Sequence, residues 1–276
     1  MLKKSNRKKI IEILLDKNIV STEKEAQSLI MAGKVEVNGQ AVEKPGTLID
    51  IDSKIGIIPK NIYVSRGGLK IEGAFKDFGL SAAGKKAADI GSSTGGFTDF
   101  LLKNGADKVI DIDVGYGQLS WELRKSPRTI IFERTNLRNL DIKKLPYRSD
   151  ITVVDVSFIS IKKILNKILD LTKWKGKILI LIKPQFELKK SEVESRGIIK
   201  NKKLHYKVLE EITMFIEKFP VNIKGFTFSK IKGLKGNIEF WVFLIKSHKK
   251  EAESIQKYDK IIKDVIDEAH FYYNQS

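Results

Sequence analysis

The sequence predicts an α/β fold: a Rossmann-like, doubly wound and mostly parallel sheet, preceded by a small α+β domain. From residue 65 onward, short and continuously apolar runs alternate with helix-like segments. This is the pattern of parallel strands that are covered by helices on both faces. The first sixty residues instead combine two helical patterns with short alternating runs. The 276 residues of the chain suffice for about two domains.

The small domain is predicted over residues 1–60. Its first helix follows Ser5, because apolar residues recur there at helical spacing. A second helix begins near Thr22, and Glu25 stands three residues later, as in a capping box. Two alternating runs then flank Asn38-Gly39, which is a strong hairpin signal. Two helices and a few short strands form only a marginal core by themselves.

The larger domain is predicted over residues 65–246, and residues 61–64 form the end of the linker before it. Two late apolar runs, around 221–228 and 238–245, lie close in sequence and could form an antiparallel edge. Five earlier apolar runs are the candidates for parallel strands, namely 86–90, 108–114, 128–133, 150–156 and 176–182.

Residues 247–276 form a C-terminal extension with the pattern of an amphipathic helix. Its apolar residues recur at spacings of three and four between Ile255 and Tyr272. We expect this helix to dock on its own domain, with a dimer seam or a membrane-surface helix as the alternatives. The oligomeric state cannot be read from the sequence.

The composition points to a polyanionic partner. A total of 51 Lys and Arg against 34 Asp and Glu gives a net charge of +17, which favours nucleic acid, with an anionic membrane surface as the alternative. The lack of cysteine excludes disulfides, cysteine-ligated zinc, iron–sulfur clusters and thiol catalysis. Three widely separated histidines predict no metal site. Without an apolar run of membrane-spanning length or a signal-peptide pattern, the protein is expected to be cytoplasmic.

The sharpest local pattern is a glycine-rich turn after the first strand of the larger domain. Glycines let a ligand approach the backbone closely, and the helix that follows offers free N–H groups. Asp113 ends the next strand, where an acid reaches ribose hydroxyls in doubly wound nucleotide-binding folds. The residues of the turn that we expect at a cofactor are Asp89, Gly91, Ser92, Ser93, Thr94, Gly95, Gly96 and Phe97.

The spacing within the turn narrows the choice of cofactor. It matches neither the P-loop pattern nor G-x-G-x-x-G, so a P-loop is excluded and a dinucleotide cofactor is disfavoured. A loop without a basic residue suits S-adenosylmethionine, which carries no phosphate and whose ammonium group Asp89 could hold through water or backbone contacts. A nicotinamide-dependent oxidoreductase and an ordinary glycine-rich turn are the alternatives.

Polar residues at the ends of buried strands are the candidates for catalysis. Asp155 and Lys183 each close an apolar run, and ligands bind at the carboxyl ends of such strands. Lys70, just after the linker, and Glu239, on a late strand, are further candidates. From these residues alone, a catalytic group and a structural ion pair between Lys183 and Glu239 both remain open.

The order of several motifs resembles that of the TlyA family, whose members are ribosomal-RNA 2′-O-methyltransferases, some of them also called haemolysins. The resemblance extends to about residue 246 and implies an S-adenosylmethionine-dependent methyltransferase fold of the FtsJ type. It also implies that the first sixty residues are a small RNA-binding domain of ribosomal-protein type. The motifs that carry it are SRGGLK, DIGSSTGGFTDFLL, DVGYGQLSWELR, ERTN, DVSFIS, LIKPQFE and KGNIEF.

The resemblance also assigns roles to the candidate residues. It implies a catalytic tetrad of Lys70, Asp155, Lys183 and Glu239, in which Lys183 is the general base that takes the proton of a ribose 2′-OH. Burial and a neighbouring cation favour the neutral amine that a base needs, whereas neighbouring carboxylates oppose it. The cofactor contacts that the motifs add are Val114, Asn136 and Asp155.

The expected partner is ribosomal RNA within a ribosomal subunit, held largely through phosphate contacts that weaken with salt. One departure from the family is Glu23, which stands where a basic residue is usual at the start of the second helix. A membrane-active haemolysin and a ribosome-assembly protein that keeps an unused cofactor pocket are the alternatives, and neither the target nucleotide nor the subunit is indicated. The expected RNA contacts are Lys4, Arg7, Lys8, Lys34, Ser65, Arg66 and Arg196.

Overall fold

The computed structural model describes residues 6–31, 34–38, 40–57, 62–193, 197–248 and 255–275. Two of the expected RNA contacts, Lys4 and Arg196, lie outside these residues. The chain divides into two compact units, Met1–Ile62 and Tyr63–Ser276. Each unit has its own hydrophobic core and is described by itself.

The first unit contains two helices and two small antiparallel sheets. The sequence prediction of a helix directly after Ser5 was wrong at its start, because Arg7–Lys9 forms a strand that pairs with Leu48–Asp50. The hairpin around Asn38 is confirmed, as is the bond from the Glu25 N–H to Thr22 Oγ1, at 3.2 Å. Its elements are β1 Arg7–Lys9, α1 Ile10–Asp16, α2 Glu23–Met31, β2 Val35–Val37, β3 Gln40–Val42, β4 Leu48–Asp50 and β5 Ile55–Ile57.

The second unit is built on a seven-stranded sheet. The strands lie side by side in the order β11-β12-β10-β9-β6-β7-β8. The five strands from β10 to β8 run parallel to one another. At one edge of the sheet, β12 pairs antiparallel with β10, and β11 pairs antiparallel with β12. Both features confirm the predicted fold class. The strands are β6 Lys86–Ile90, β7 Lys108–Ile112, β8 Thr129–Phe132, β9 Ser149–Val154, β10 Thr172–Ile182, β11 Val221–Phe228 and β12 Phe240–Lys246.

Helices cover both faces of this sheet. Alternate residues of β10 face opposite sides, and both sets are buried: Ile178, Ile180 and Ile182 belong to one core, while Leu179 and Leu181 belong to the other. This explains why the strand is continuously apolar. The helices are α3 Gly67–Asp77, α4 Gly96–Lys103, α5 Trp121–Lys125, α6 Leu165–Leu171, α7 Pro184–Glu187, α8 Lys202–Ile216 and α9 Ile255–Asn274.

The C-terminal helix α9 docks on its own unit, as the amphipathic pattern predicts. Its apolar face, which includes Ile262, Val265 and Ala269, lies in the core next to α8 and β11. The rings of His205 on α8 and His270 on α9 also meet, with Nδ1 and Nε2 2.9 Å apart. The extension is therefore part of the second unit.

The predicted linker ends earlier than residue 64. Tyr63 is buried; its ring lies edge-on to Phe100 with centroids 5.7 Å apart, and its hydroxyl donates to Glu72 at 3.1 Å. The N–H of Val64 donates to Asp99 at 2.8 Å. These contacts with α3 and α4 bind residues 63 and 64 to the second unit. Among the described residues, no helix has the length and apolar character needed to cross a bilayer.

Candidate active site

The glycine-rich turn connects β6 to α4, and two of its glycines occupy positions where a side chain does not fit. Gly91 has φ +81°, and a Cβ there would collide with the carbonyl oxygen of Asp155. Gly95 has φ +92°, and a Cβ there would collide with Leu119 and Leu123. The positive φ angles and the close approach both require glycine. The turn thus brings the end of β6 directly against the end of β9.

Asp89 does not have the place that the sequence suggested. Its carboxylate is fully buried and accepts hydrogen bonds from the N–H of Thr98, at 3.0 Å, and from the Thr98 hydroxyl, at 2.8 Å. Burial, and next the charge of Asp111, raise the pKa of Asp89 well above its ordinary value. Asp89 therefore ties the start of α4 to the sheet, and it is not among the residues that line the cavity described next.

A cavity of 510 Å³ lies at the carboxyl ends of β6, β7 and β9. Of the residues expected at a cofactor, it is lined by Gly91, Ser93, Asp113, Val114, Asn136 and Asp155. The other turn residues expected there are not among its lining, namely Asp89, Ser92, Thr94, Gly95, Gly96 and Phe97. Asp89 belongs to β6, and the other five residues build the turn and the first turn of α4.

Several lining residues were not singled out from the sequence. Gln118 lies in the motif DVGYGQL, and Ser157 and Phe158 lie in DVSFIS. The signal that could have found them is their position in loops that follow strand ends, where sites of parallel sheets form. Apolar side chains complete the wall, including Ile90, Ile112 and Leu137.

The lining fits S-adenosylmethionine. Asp113 is held in place because its carboxylate accepts the N–H groups of Ser93, at 2.8 Å, and of Gly115, at 2.6 Å. Asn136 is fixed by accepting the N–H of Arg138 at 3.0 Å. Among the described residues, two acids, Asp113 and Asp155, and no basic side chain line the cavity, which suits a cationic ligand without phosphate. Its volume is also that of a small-molecule site.

The structure brings the four candidate catalytic groups together as two ion pairs. Lys183, at the end of β10, has its Nζ 2.6 Å from Asp155 Oδ1. Lys70, on α3, has its Nζ 2.6 Å from Glu239 Oε2. Glu239 is only 2% exposed. The two pairs therefore join residues that lie as far as 169 positions apart in the sequence.

Charges act between the two pairs. Burial raises the pKa of Glu239, and the neighbouring cations Lys70 and Lys183 oppose that rise, while the charge of Asp155 adds to it. The four groups thus form one electrostatic cluster. Asp155 belongs both to this cluster and to the wall of the cavity.

Hydrogen-bond alignment within the cluster favours Ser157 as the partner of Lys183. The Lys183 amine donates to the Ser157 hydroxyl at 2.8 Å. Its short contact with Asp155 is an ion pair by distance, but Oδ1 of Asp155 accepts no aligned hydrogen bond. The hydroxyl of Ser157 therefore orients Lys183. The carboxylate of Asp155 balances the positive charge of its ammonium group.

The expected RNA contacts fall in both units. Arg7 and Lys8 are exposed on β1, with Lys8 paired to Asp16 at 2.9 Å, and Lys34 is half-buried. In the second unit, Ser65 accepts the N–H of Gly67 at 3.3 Å. Arg66 is exposed, and its guanidinium donates to the carbonyl oxygen of Lys232 at 3.3 Å.

The strand order, the glycine turn and the cavity at the strand ends define an S-adenosylmethionine-dependent methyltransferase domain of Rossmann-like fold. The sequence model of the FtsJ-like methyltransferase family matches residues 63–246, and that of the S4 domain matches residues 10–55. The chain belongs to the FtsJ-like methyltransferase family and carries an S4 domain before the catalytic domain.

Named relatives are similar over most of the chain. The 16S/23S rRNA (cytidine-2'-O)-methyltransferase TlyA of Mycobacterium tuberculosis is 34% identical, with 87% of this chain and 90% of that protein covered. Hemolysin A of Brachyspira hyodysenteriae is 41% identical, with 80% and 92% covered. A solved structure from Streptococcus thermophilus, of a protein proposed to be a hemolysin, has a TM-score of 0.76 at 35% identity and covers 99% of this chain and 98% of its own.

Proposed function

We propose that this protein is an S-adenosylmethionine-dependent 2′-O-ribose methyltransferase that acts on ribosomal RNA in a ribosomal subunit. The observation that carries the proposal is that Asp155 both lines the cofactor cavity and lies 2.6 Å from the Nζ of Lys183. A methyl donor in the cavity thereby lies beside a candidate base. The name of the Mycobacterium tuberculosis relative, a (cytidine-2'-O)-methyltransferase, supports the same chemistry and the same class of substrate.

Lys183 is the proposed general base. S-adenosylmethionine, when bound, supplies the methyl group as an electrophile. In its neutral form, the Lys183 amine would take the proton of the ribose 2′-OH that receives the methyl group, while the sulfonium sulfur would keep the electron pair of its broken bond to that methyl group. Asp155 then stabilises the ammonium group that forms, and the hydrogen bond to Ser157, at 2.8 Å, orients the amine.

Lys70 and Glu239 support this step electrostatically. The buried carboxylate of Glu239 fixes the ammonium group of Lys70 at 2.6 Å. The ammonium group of Lys70 thereby keeps a fixed position beside Glu239. It also attracts the oxygen that carries developing negative charge, or an adjacent phosphate of the RNA.

The remaining residues serve binding. Gly91, Ser93, Asp113 and Asn136 would hold the cofactor from the strand ends, with Val114 at the rim of the same cavity. The S4 domain, with exposed Arg7 and Lys8 on β1, would contact RNA phosphates, as would Arg66 in the catalytic unit. Such contacts recognise a structured RNA largely by its shape and its backbone.

The test is methyl transfer to isolated ribosomal subunits that lack the modification, with S-adenosylmethionine labelled in its methyl group. Wild-type protein should label at least one of the two subunits on a ribose 2′-oxygen, whereas Lys183→Ala should transfer no methyl group and keep its affinity for S-adenosylmethionine within a few-fold. Lys163→Ala, which removes an exposed lysine elsewhere in the same unit, is the matched control. Transfer by Lys183→Ala at the wild-type rate would overturn the assignment of the base.

A further inference from the structure

The C-terminal end of α9 presents aromatic rings beside lysines of the loop that follows β11. Phe271 is 66% exposed and Tyr272 is 42% exposed. The Nζ of Lys230 lies 5.6 Å from the ring centroid of Tyr272, and the Nζ of Lys232 lies 4.7 Å from that of Tyr273. Tyr272 and Tyr273 thus lie beside two lysines of this loop.

This surface adjoins the catalytic cluster. The hydroxyl of Tyr273 donates to the carbonyl oxygen of Ser229 at 2.6 Å, and the N–H of Ser229 donates to the carbonyl oxygen of Glu239 at 2.8 Å. Arg66, four residues before Lys70 on the sequence, holds the same loop through the carbonyl oxygen of Lys232 at 3.3 Å. Two hydrogen bonds therefore connect the end of α9 to the backbone of Glu239, a candidate catalytic residue.

The charge of the surface is predominantly positive. Its cations are Arg66, Lys230 and Lys232, with exposed Lys235 on the same loop. Within the described residues, the acid that pairs with one of them is Glu268, at 3.6 Å from Lys230. A polyanion is the partner that such a surface attracts.

We infer that the end of α9, together with the loop of residues 229–236, binds the single-stranded RNA that flanks the methylated nucleotide. Exposed aromatic rings stack on bases of any sequence, and lysines beside them hold the phosphates. This inference rests on the proposed function, since it takes RNA to be the substrate. A membrane is the poorer match, because the apolar face of α9, with Ile262 and Val265, is buried in its own unit. The described side chains of this helix therefore leave no apolar stripe that could insert into a bilayer.

The experiment measures binding of a fluorescein-labelled, twelve-nucleotide single-stranded RNA to the full chain by fluorescence anisotropy. The double variant Tyr272→Ala/Lys232→Ala should bind roughly tenfold more weakly, because it loses one stacked ring and one phosphate contact. The dependence of log K on log salt concentration should become shallower by about 0.7, the value of one phosphate contact on a single strand. Tyr272→Phe, which keeps the ring, should bind like the wild type.

Trp174→Ala/Lys173→Ala is the matched control. It also removes one exposed ring (Trp174 is 43% exposed) and one exposed lysine, but at the opposite end of β10 from Lys183. Unchanged affinity and salt dependence in Tyr272→Ala/Lys232→Ala, or an equal loss in the control, would overturn the inference, as would binding of wild type to anionic vesicles in preference to the RNA. Failure of the proposed function is distinguishable, because wild-type protein would then methylate no ribosomal subunit whatever its affinity for the oligonucleotide.

Discussion

Asp89 and Asp111 face each other across the neighbouring strands β6 and β7 and share the hydroxyl of Thr98. A hydroxyl donates only one hydrogen, so it can donate to one carboxylate and must accept from the other. One of the two buried carboxyl groups therefore carries a proton when both contacts form. Because Thr98 lies in the first turns of α4, this shared proton connects the sheet to the helix that follows the glycine turn.

The first prediction concerns the loss of stability as the pH rises from acid to neutral. Burial raises the pKa of Asp111 from 3.8 to about 7, with Asp113 and Glu133 adding to the rise and Thr98 opposing it. The folded state thus keeps a proton that the unfolded chain releases, so the free energy of unfolding falls as pH rises from about 4 to about 7. The contribution amounts to at most about 4 kcal/mol.

Asp111→Asn should make this decline shallower, because an amide can donate to Thr98 at every pH. The measurement is the midpoint of thermal unfolding, followed by circular dichroism between about pH 4 and about pH 8. Asp107→Asn, at an exposed position just before β7, is the control and should retain the wild-type profile. A wild-type profile in Asp111→Asn would show that the shared proton does not contribute to stability.

The second prediction concerns acid. Burial, and next the charge of His270, lower the pKa of His205 from 6.5 to about 4. Between pH 6.5 and pH 4, His205 therefore binds a proton in the unfolded chain but not in the folded state. Its contribution to the free energy of unfolding is fully present above pH 6.5 and is lost as the pH falls toward 4. His205→Gln should lose less stability over this range than the wild type, by up to about 3 kcal/mol.

The measurement is urea unfolding at pH 7, 6, 5 and 4.5. His248→Gln is the control, since His248 stacks on Trp174, with ring centroids 3.3 Å apart, away from α8. Equal acid sensitivity of His205→Gln and wild type would contradict a neutral His205 in the folded state.

The strand positions could be predicted from the sequence, and so could part of the site. The run 86–90 was recognised with its true bounds, because continuous apolar runs between helical segments have few other interpretations. The position of Asp89 was predictable but was missed. Successive residues of a strand face opposite sides, and Asp89 shares its face with Ala87, which packs in the core with α4, whereas Ile90 lines the cavity.

Other features depend on contacts that no local pattern contains. The pairing of Lys70 with Glu239 joins α3 to the start of β12 across 169 residues, and only the resemblance to a family put them in one cluster. The strand β1 could not be predicted from the sequence, because Arg7–Lys9 is entirely charged and gains strand geometry only by pairing with β4. Tertiary pairing there overrides local propensity.

The third prediction tests the glycine turn. Gly91→Ala introduces a Cβ that collides with the backbone of Asp155, at a positive φ that alanine disfavours. We expect at least a tenfold loss of affinity for S-adenosylmethionine, because the two strand ends that form the cavity are forced apart. Isothermal titration calorimetry measures the affinity. Gly79→Ala is the control, because it imposes the same backbone strain, of about 1 kcal/mol, at a φ of +59° with open space around it.

The fourth prediction separates the two carboxylates of the candidate catalytic cluster. Asp155 lines the cofactor cavity and contacts Lys183, whereas Glu239 contacts Lys70 and is not among the lining residues. Asp155→Asn should therefore weaken cofactor binding and slow methyl transfer together. Glu239→Gln should reduce the rate constant of transfer at saturating cofactor, by about 10²-fold or more, and leave the dissociation constant of S-adenosylmethionine within a few-fold.

Single-turnover methyl transfer, combined with calorimetry of cofactor binding, distinguishes these outcomes, because turnover and affinity are then read from the same preparations. Glu72→Gln is the control, since Glu72 lies on α3 two residues from Lys70 and accepts the hydroxyl of Tyr63 at 3.1 Å away from the cluster. If Glu239→Gln lost cofactor affinity as strongly as Asp155→Asn, the two ion pairs would act as one structural unit beneath the cavity. A cluster of that kind would hold the strand ends in place and would take no part in proton transfer.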